Sequence, residues 1–581
     1  MEITLLAGKL EAHFSAENLP EISLSSFFSE AGIDLYRIRF DWKTALSPAP
    51  VTMRFSQSCL DLHTHWDPIL RRQRFVPWGD SQAVESRLAS WLPLEQFASK
   101  GGNNRFTLAL ADVKTPLKIT SKVAMPSFRL STEIAFFTAL ISPIDHYETI
   151  LRIDHRDIPF DRAIQSAARW YGELGYRNDQ VPDAAYDAVY STWYAYMQDI
   201  HARDILKECR TAKKLGMDTV IVDDGWQNRK ILRDYSNCGD WVPAKNRFPD
   251  MRRFTDDVHA LGMKVMLWFS VPFIGWDTKN HTRFQGKYLY DFNIVRCSVL
   301  DPRYKEVRDF LVQTYVYAVK EWNLDGLKLD FIDRFRFMGT PATDQMDFCS
   351  VEDATEALLQ EVSESLRSVR EDILLEFRQP YVGPVISAYG NMLRVWDCPE
   401  DALTNRTAIA DLRLISTGAS VHSDMVVWNQ ADTPESAAVH LYSTLFSVPQ
   451  VSMRMAELSP AHKKVLAAFL KFRNEHRKTL MQGSFSVRGV DSNYPYTESR
   501  LGTERIAVSI CDPVLRLDHE LQDDYLINLS GQNEVILLGN PAGLKYEIFD
   551  CTGKRLCRVQ RFKKGTRTLT VPHAGMIHIL R

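Results

Sequence analysis

The sequence predicts an α/β protein, a (β/α)8 TIM barrel flanked by an N-terminal β-sandwich and a C-terminal antiparallel β-domain. First, strand-like runs and helical stretches alternate eight times in the middle of the chain, which is the pattern of such a barrel. Second, the segments on either side consist of short strand-like runs separated by turn residues, with little helical periodicity. Third, 581 residues exceed what one hydrophobic core usually holds, so roughly two to four domains are expected.

The N-terminal segment, residues 1–165, has the rhythm of a β-sandwich. Its strand-like runs include residues 106–110 and 117–120, with turn residues between them. Two tryptophan-bearing loops, residues 65–67 and 78–80, are candidates for reaching the mouth of the barrel, in the same subunit or a neighbouring one.

The central segment, residues 166–480, is predicted to form the barrel. Apolar residues recur three and four positions apart in helical stretches at residues 205–215, 306–322 and 351–369. An open doubly wound sheet is the alternative, but no GxGxxG or Walker loop follows a strand, which favours the barrel. The predicted strands are residues 188–194, 219–224, 264–269, 326–331, 373–377, 392–396, 419–422 and 445–451.

The C-terminal segment, residues 481–581, again consists of short strand-like runs separated by turn residues. Residues 505–510 and 525–529 read as strands, and residues 540–543 form a turn signal of the Asn-Pro-Ala-Gly type. A second, smaller β-sandwich domain is therefore expected at the end of the chain.

Composition excludes several classes of partner. Lys and Arg number 70 against 73 Asp and Glu, a net charge of −3, which leaves no electrostatic footprint for nucleic acid. No stretch approaches the 18 or so apolar residues of a membrane span. The 9 cysteines are scattered without CxxC or zinc-type spacing, and the N-terminus lacks a secretory signal, so a cytoplasmic location is expected.

The predicted strand ends carry the chemistry, because barrel sites are built at the C-terminal face. Aromatic and carboxylate side chains interleave there, a mixture that suits a sugar, whose ring faces are apolar and whose hydroxyls need hydrogen-bond partners. A single tryptophan is more often a core residue than a sugar platform, so their joint placement carries this prediction. The strand-end residues are Trp193, Tyr194, Asp223, Asp224, Trp226, Trp268, Lys328, Asp330, Glu376, Arg378, Arg394, Asp397, His422 and Asp424.

Lys328 and Asp330 are the central pair of this set. Strand side chains alternate, so both point to the same face, and the ammonium can hold the aspartate ionised as a nucleophile. A structural salt bridge at the strand end is the competing interpretation.

Glycoside cleavage requires a second carboxylate to protonate the leaving oxygen. Asp397 lies two strand ends after Asp330 and is the predicted acid/base. Asp401 lies where a helix would begin, so a capping role competes with a catalytic one. Asp424 and Glu376 are lesser rivals.

These motifs resemble the clan-D retaining α-glycosidases, most closely the α-galactosidases of glycoside hydrolase family 36. The matching stretches, in matching order, are residues 222–226, 239–241, 247–249, 262–269, 326–330 and 394–406. The β, barrel, β organisation is also that of the family, although the flanking domains match only in texture.

The resemblance implies a role for each matched residue. Asp330 would be the nucleophile and Asp397 the acid/base, while Asp223 and Asp224 would accept hydrogen bonds from sugar hydroxyls. Trp226 and Trp268 would shape the pocket wall. Lys328 would bind ring hydroxyls, Arg394 would lie near the acid, and no cofactor or metal would be needed.

Three stretches depart from the family pattern. Residues 376–381 replace a Cys-x-x-Gly-Gly-Gly-Arg segment that meets the sugar around its 2-position. Residues 268–273 replace a Trp-Phe-x-Pro-Glu pattern, and Trp396-Asp397 replaces Ser-Asp. The expected activity is exo-acting hydrolysis of terminal α-galactose from short oligosaccharides, with another α-glycoside specificity or transglycosylation as the alternative.

Two interpretations of other classes stay open. One is a metal-dependent barrel enzyme with Asp223, Asp224, Asp330, Glu376 and His422 as ligands, against which the neighbouring Lys328 argues. The other is a carbohydrate-binding protein without catalysis. The sequence leaves the sugar's 2-substituent, the leaving group and the oligomeric state undetermined, a homo-oligomer included.

Overall fold

Two stacked antiparallel sheets form the N-terminal part of the protein, as predicted. The computed structural model describes residues 1–69, 71–74, 83–178, 181–228, 230–231, 233–563 and 565–581. One sheet contains Glu2–Ala7, Leu10–Ser15, Val51–Gln57, Arg129–Phe136, Leu117–Ala124 and Val84–Ser86, in that order. The other contains Glu21–Glu30, Ile33–Leu46, Ile144–Asp154, Asn104–Leu110, Leu94–Ala98, Thr64–Asp67 and Arg71–Arg74.

The hydrophobic core of this sandwich follows from alternation along its strands. In Leu10–Ser15 every second residue is buried, which places one face of the strand against the facing sheet. Phe40 lies at the centre of the core, where its ring meets those of Phe14, Phe136 and Tyr147.

A closed barrel of eight parallel strands occupies the middle of the chain, which confirms the predicted fold class. The first strand closes the barrel by pairing with the last, Val189 opposite Gln450. The barrel strands are Val189–Ser191, Thr219–Val222, Lys264–Ser270, Gly326–Asp330, Leu374–Arg378, Met392–Arg394, Ser420–Val426 and Val448–Val451. A three-stranded sheet, Phe273–Gly275, Tyr288–Phe292 and Cys297–Leu300, is inserted after the third strand.

Helices surround the barrel and lead into it. Helix Ala202–Leu215 buries Ile205, Cys209 and Ala212 against the barrel, as expected from apolar residues at three- and four-residue spacing. The other α-helices are Phe160–Glu173, Trp193–Tyr196, Met251–His259, Lys279–Arg283, Lys305–Trp322, Val351–Val369, Pro384–Tyr389, Ala402–Ile415, Pro434–Ser443, Pro460–Glu475 and Arg477–Gln482. Short 3-10 helices lie at Asp183–Tyr186, Asn293–Val295, Ile332–Arg334 and Val490–Ser492.

The C-terminal part also forms two sheets, but it is not purely antiparallel. Strand Glu504–Ser509 pairs in parallel with Asp523–Asn528, because the chain between them crosses to the smaller sheet and returns. The larger sheet contains Ser484–Arg488, Tyr496–Leu501, Glu504–Ser509, Asp523–Asn528, Gly575–Leu580, Lys545–Phe549 and Arg555–Arg561. The smaller sheet contains Val514–Arg516, Glu534–Leu538 and Thr568–Thr570.

The N-terminal sheets pack closely on the barrel. Helix Phe160–Glu173 runs across the predicted boundary at residue 165, so the exact domain limits stay a prediction. Trp66 is fully buried and its indole N–H donates to Asp411 on a barrel helix, 2.9 Å away, so it does not reach the barrel mouth. The loop at residues 78–80 lies outside the described residues. In the part of the chain that the structure describes, no helix is both long and apolar enough to cross a membrane.

Candidate active site

Asp330 ends the fourth barrel strand and is the most heavily hydrogen-bonded carboxylate of the site. Its Oδ1 accepts from Arg378 Nε at 2.6 Å and from the Phe331 backbone N–H at 2.8 Å, with the Tyr381 hydroxyl at 3.2 Å. Its Oδ2 accepts from the Trp268 indole N–H at 3.0 Å. Oδ1 is therefore saturated, while Oδ2 keeps a lone pair.

The surrounding cations keep Asp330 ionised. Burial raises the pKa of this carboxyl, but the charges of Arg378, Lys328 and Arg394 outweigh burial and hold the pKa well below its usual range. The Arg378 guanidinium lies over the Phe331 ring, 5.0 Å from its centroid, and is thereby fixed in place.

Lys328 points to the same face as Asp330, as predicted, but its direct partner is a different carboxylate. Its Nζ donates to Asp223 Oδ2 at 2.7 Å, and both side chains are buried. The sequence predicted that this lysine holds Asp330 ionised. Its charge contributes, yet the cation in contact with Asp330 is Arg378, which the next strand supplies.

Asp224 is the more buried of the two adjacent aspartates, Asp223 and Asp224, that follow the second strand. Gln198 Nε2 donates to its Oδ2 and Gln227 Nε2 to its Oδ1, each at 2.7 Å. Burial, opposed by these two hydrogen bonds, raises the pKa of Asp224 to about 7.

The three predicted tryptophans occupy different depths. Trp268 contacts Asp330 directly. Trp226 has no exposed surface, and its indole N–H donates to the Trp268 carbonyl oxygen at 2.9 Å, so it packs behind Trp268 instead of lining the pocket wall. Trp193 is half-buried and begins a short helix, Trp193–Tyr196, where the sequence predicted continued strand.

Arg394 lies fully buried at the end of the sixth strand and connects three carboxylates. Its Nη1 donates to Asp424 Oδ1 at 2.6 Å and to Asp397 Oδ1 at 2.9 Å, and its Nε lies 3.7 Å from Glu376 Oε1. Glu376 has no exposed surface and accepts from Gln450, which places it in the barrel interior beneath the site.

Asp397 and Asp424 share the Nη1 group of Arg394 but differ in exposure. The Asp397 side chain is 54% exposed, whereas Asp424 is buried and also accepts from the Cys398 N–H and the Tyr194 hydroxyl. Burial raises the pKa of Asp424 to about 6. Loss of hydration raises the pKa of Asp397, but the charge of Arg394 outweighs it and leaves that pKa below its usual value. The two carboxyls are close enough to titrate as a pair.

The competing candidates have structural roles. Asp401 caps helix Ala402–Ile415 by accepting from the Thr404 N–H at 2.9 Å. His422 is buried beside the Ala185 carbonyl oxygen, 2.9 Å from its Nε2, and burial lowers the pKa of its ring to about 3. Among the described residues, no group of three or more His, Cys, Asp and Glu side chains is arranged to hold a metal.

The predicted residues thus form separate hydrogen-bonded groups, which the charges of Arg378, Lys328 and Arg394 link electrostatically to Asp330. Two chains of contacts, Lys328 with Asp223 and Arg394 with Asp397, flank Asp330. Sequence analysis missed Tyr381, Gln198 and Gln227. Gln227 directly follows the acidic motif and Tyr381 lies in the divergent stretch at residues 376–381, so both had a positional signal, whereas Gln198 had none.

Comparisons with known proteins confirm the predicted resemblance. A family model described as melibiase matches residues 176–380, which includes Asp330 and Arg378 and ends before Asp397. The α-galactosidase Mel36A of Lactobacillus acidophilus is 29% identical over 146 residues, covering 24% of this chain and 20% of the relative. An A type blood α-D-galactosamine galactosaminidase of Flavonifractor plautii is 23% identical over 255 residues, covering 38% and 21%. The matched segments thus span about a fifth of these relatives' length.

The fold extends the similarity to nearly the whole chain. A variant of the family 36 α-galactosidase AgaA from Geobacillus stearothermophilus, solved in complex with stachyose, superposes with a TM-score of 0.65 at 14% identity. The superposition covers 98% of this chain and 81% of that one.

Proposed function

We propose that this protein is a retaining exo-acting α-glycosidase, an α-galactosidase that releases terminal α-galactose from short oligosaccharides. The observation that carries this proposal is Asp330, a buried carboxylate kept ionised at a barrel strand end, with one oxygen saturated and the other still free to attack. Such a group is a nucleophile that needs no activating base.

The first step would form a covalent bond between Asp330 Oδ2 and the anomeric carbon of the sugar. The glycosidic bond breaks, and its oxygen takes a proton from Asp397 as it leaves. Water, activated by the same Asp397, then attacks the anomeric carbon and releases Asp330. Two displacements at one carbon retain the anomeric configuration.

The acid/base assignment is supported by position and by the shared arginine. Asp397 is the exposed member of the Asp397 and Asp424 pair, so it can reach a leaving group, while Asp424 stays buried. In the free site Arg394 disfavours protonation of Asp397. A sugar covering Asp397 would remove water from it, which raises a carboxyl pKa and prepares it to donate.

Galactose is supported by the two carboxyl groups that follow the second strand. Asp223, ion-paired with Lys328, and Asp224, held by two glutamines, are carboxylates that accept hydrogen bonds from sugar hydroxyls. The named activities of the similar proteins point the same way, since Mel36A and AgaA are α-galactosidases.

A galactoside substituted at its 2-position is the second candidate. Arg378, which contacts Asp330, belongs to residues 376–381, the stretch that departs from the family pattern around the 2-position. One similar protein is named as an α-D-galactosamine galactosaminidase. Transglycosylation stays part of the proposal as well, because a sugar hydroxyl can intercept the covalent intermediate instead of water.

The proposed location of the protein is the cytoplasm. Its nine cysteines are unpaired, which is consistent with a reducing compartment.

Replacing Asp330 tests the proposal most directly. Asp330→Asn keeps the size of the side chain but removes the attacking charge, so turnover of a nitrophenyl α-galactoside is expected to fall by at least about 10³-fold. Asp344→Asn, at an exposed position further along the same loop, is the matched control and is expected to retain activity. If the wild-type protein cleaves none of a panel of nitrophenyl α-glycosides, it is a carbohydrate-binding protein and the proposal fails.

Two further measurements test the mechanism. A fluorinated α-galactosyl donor is expected to label Asp330, which mass spectrometry of peptides detects. Proton NMR is expected to show α-galactose as the first product, and a β-anomer formed first would exclude retention.

A further inference from the structure

A cleft with an excess of arginine lies at the N-terminal face of the barrel, opposite the candidate active site. One wall is helix Phe160–Glu173, a second is the loop at residues 416–418 that precedes the seventh barrel strand, and a third is residues 483–485. Its volume is about 700 Å³, within the range of roughly 300–1,000 Å³ that is typical of small-molecule sites. This basic cleft therefore joins the three parts of the chain and has room for an organic ligand.

Arginine supplies most of the charge on the lining of the basic cleft. Among the described residues that line it there are four arginines and one acidic residue, Glu173, with no lysine or aspartate. The arginines are Arg162, Arg169, Arg177 and Arg413. The whole chain, by contrast, has a net charge of −3. The cleft is thus a local concentration of positive charge, which attracts anions.

Two of these arginines lie on one face of the helix that forms the first wall. Arg162 and Arg169 are seven residues apart, which is close to two helical turns, so both side chains project from the same face. Gln165 lies between them and donates from Nε2 to the Phe485 carbonyl oxygen at 2.9 Å. Arg162 Nη1 donates to the Ser484 hydroxyl at 3.2 Å, whereas Arg169 is exposed. The helix face is thereby held against the C-terminal sheet with its charges directed along the cleft.

Arg413 comes from the barrel side and is only partly exposed. Its guanidinium lies over the Phe485 ring, 4.9 Å from the centroid. Its Nη1 donates to the carbonyl oxygens of Phe446 and Leu480, each at 2.9 Å. These acceptors are uncharged, and burial lowers the pKa of Arg413 to about 10. The protein thus holds this cation without an anion beside it.

Carboxylates do not neutralise this group of cations. In the part of the chain that the structure describes, Arg162, Arg169 and Arg413 form no ion pair, whereas the buried Arg303 and Arg505 each pair with an aspartate at 2.7 Å. The hydrogen bonds of Arg162 and Arg413 all come from Nη1. Their Nε and Nη2 groups therefore keep protons that a ligand can accept.

A hydroxyl without a partner lies on the second wall. Thr417 is 8% exposed, and its Oγ1 has no hydrogen-bond partner among the described residues. Gly418 beside it has a φ of +123°, and a Cβ there would lie 2.7 Å from the Asn178 carbonyl oxygen, so this close approach requires glycine. Burying a hydroxyl without a partner is unfavourable, and a ligand oxygen would relieve that cost.

Phosphate is the anion that suits such a lining best. Guanidinium groups bind phosphate oxygens through paired, charge-assisted hydrogen bonds. A phosphate group carries a charge of about −1.5 to −2 at neutral pH, so it offsets more of the arginine excess than one carboxylate does. Ala168, Leu414 and Phe485 add apolar surface to the cleft, which can accommodate the organic part of a phosphate ester.

We propose that the basic cleft binds a phosphate group, supplied either by inorganic phosphate or by a small phosphate ester. The bound phosphate would contact arginines of the helix that leads into the barrel and of barrel helix Ala402–Ile415, next to the first strand of the C-terminal sheets. It would therefore stabilise the junction of the three parts. The site is separate from Asp330, and the proposal does not depend on the proposed function.

Titration calorimetry of the full chain tests this proposal. Inorganic phosphate and glucose 6-phosphate are titrated separately at constant ionic strength, with chloride as the only other anion. At least one of them is expected to bind and to raise the unfolding temperature, because a ligand of the folded state stabilises it. Tighter binding of glucose 6-phosphate would identify a phosphate ester as the ligand, and equal or weaker binding would identify free phosphate.

Two variants with opposite effects on charge test the location. Arg169→Gln removes an exposed cation and is expected to weaken phosphate binding about threefold or more without changing the unfolding temperature of the free protein. Glu173→Gln removes the acidic residue and is expected to tighten binding. Arg210→Gln is the matched control, because Arg210 is an exposed arginine on helix Ala202–Leu215 that does not line the cleft. It should leave the Kd unchanged.

Three results would overturn the proposal. The first is that neither phosphate compound binds. The second is binding that Arg169→Gln and Glu173→Gln both leave unchanged, which would place the phosphate elsewhere. The third is an equal loss of affinity in Arg210→Gln, which would show that only the overall charge of the protein matters. No glycoside enters these measurements, so their outcome and that of the activity assays are independent.

Discussion

Asp330 owes its charge largely to an arginine that comes from a different strand. Arg378 is the only cation in hydrogen-bond contact with this carboxylate among the described residues, and it contributes more to the low pKa than Lys328 does. The contribution of Lys328 could be predicted from the sequence, because Lys328 lies two residues before Asp330 and strand side chains alternate with a period of two. The arginine contact depends on how neighbouring strands align, Lys328 opposite Glu376, which residue spacing does not reveal.

Removing the arginine charge is expected to change the pH dependence of the reaction. In Arg378→Gln burial acts against a weaker opposing charge, so the pKa of Asp330 rises. Because Asp330 must be ionised to attack, the acid limb of the kcat/KM profile is expected to move to higher pH. Arg334→Gln, an exposed arginine in the following loop, is the control and should leave the acid limb in place. If the acid limb of Arg378→Gln does not move, the charges of Lys328 and Arg394 are sufficient to keep Asp330 ionised.

At the scale of elements, the eight strands were predictable and their ends were not. In a run such as Gly326–Asp330 the leucines alternate with Lys328 and Asp330, and this two-residue period identifies a barrel strand without any tertiary information. The first strand stops at Ser191, earlier than predicted, because the chain turns into helix Trp193–Tyr196. Trp226 looked like a pocket residue because it follows the acidic motif, but the turn at Gly225 directs it into the core.

That turn is expected to be intolerant of a side chain. Gly225 has a φ of +119°, and a Cβ there would lie 2.6 Å from the Gln198 carbonyl oxygen. Gly225→Ala is therefore expected to displace Gln198 from Asp224, lowering kcat/KM and the free energy of unfolding, the latter by about 2 kcal/mol. Gly172→Ala is the control, since Gly172 lies in helix Phe160–Glu173 with open space around it and alanine favours a helix. Urea unfolding measured for both variants should show opposite signs, and equal stabilities would contradict this account.

At the scale of the whole molecule, one buried carboxylate joins the three parts of the chain. Asp411 lies on barrel helix Ala402–Ile415 and accepts hydrogen bonds from Trp66 of the N-terminal sheets and from Tyr494 of the C-terminal region. Tyr494 also stacks on Phe160, with ring centroids 6.3 Å apart. The N-terminal domain is thereby fixed on the barrel.

Breaking this junction is expected to destabilise all three parts together. Asp411→Leu fills a similar volume but leaves the buried Trp66 N–H and Tyr494 O–H without this acceptor, a loss of about 2 kcal/mol or more in the free energy of unfolding. Asp344→Asn, at an exposed position, should change stability by no more than about 0.5 kcal/mol. If the junction couples the parts, calorimetry of the wild type shows one transition, which Asp411→Leu lowers or divides. If the wild type already unfolds in separate steps and Asp411→Leu shifts only the barrel, the junction does not couple the domains.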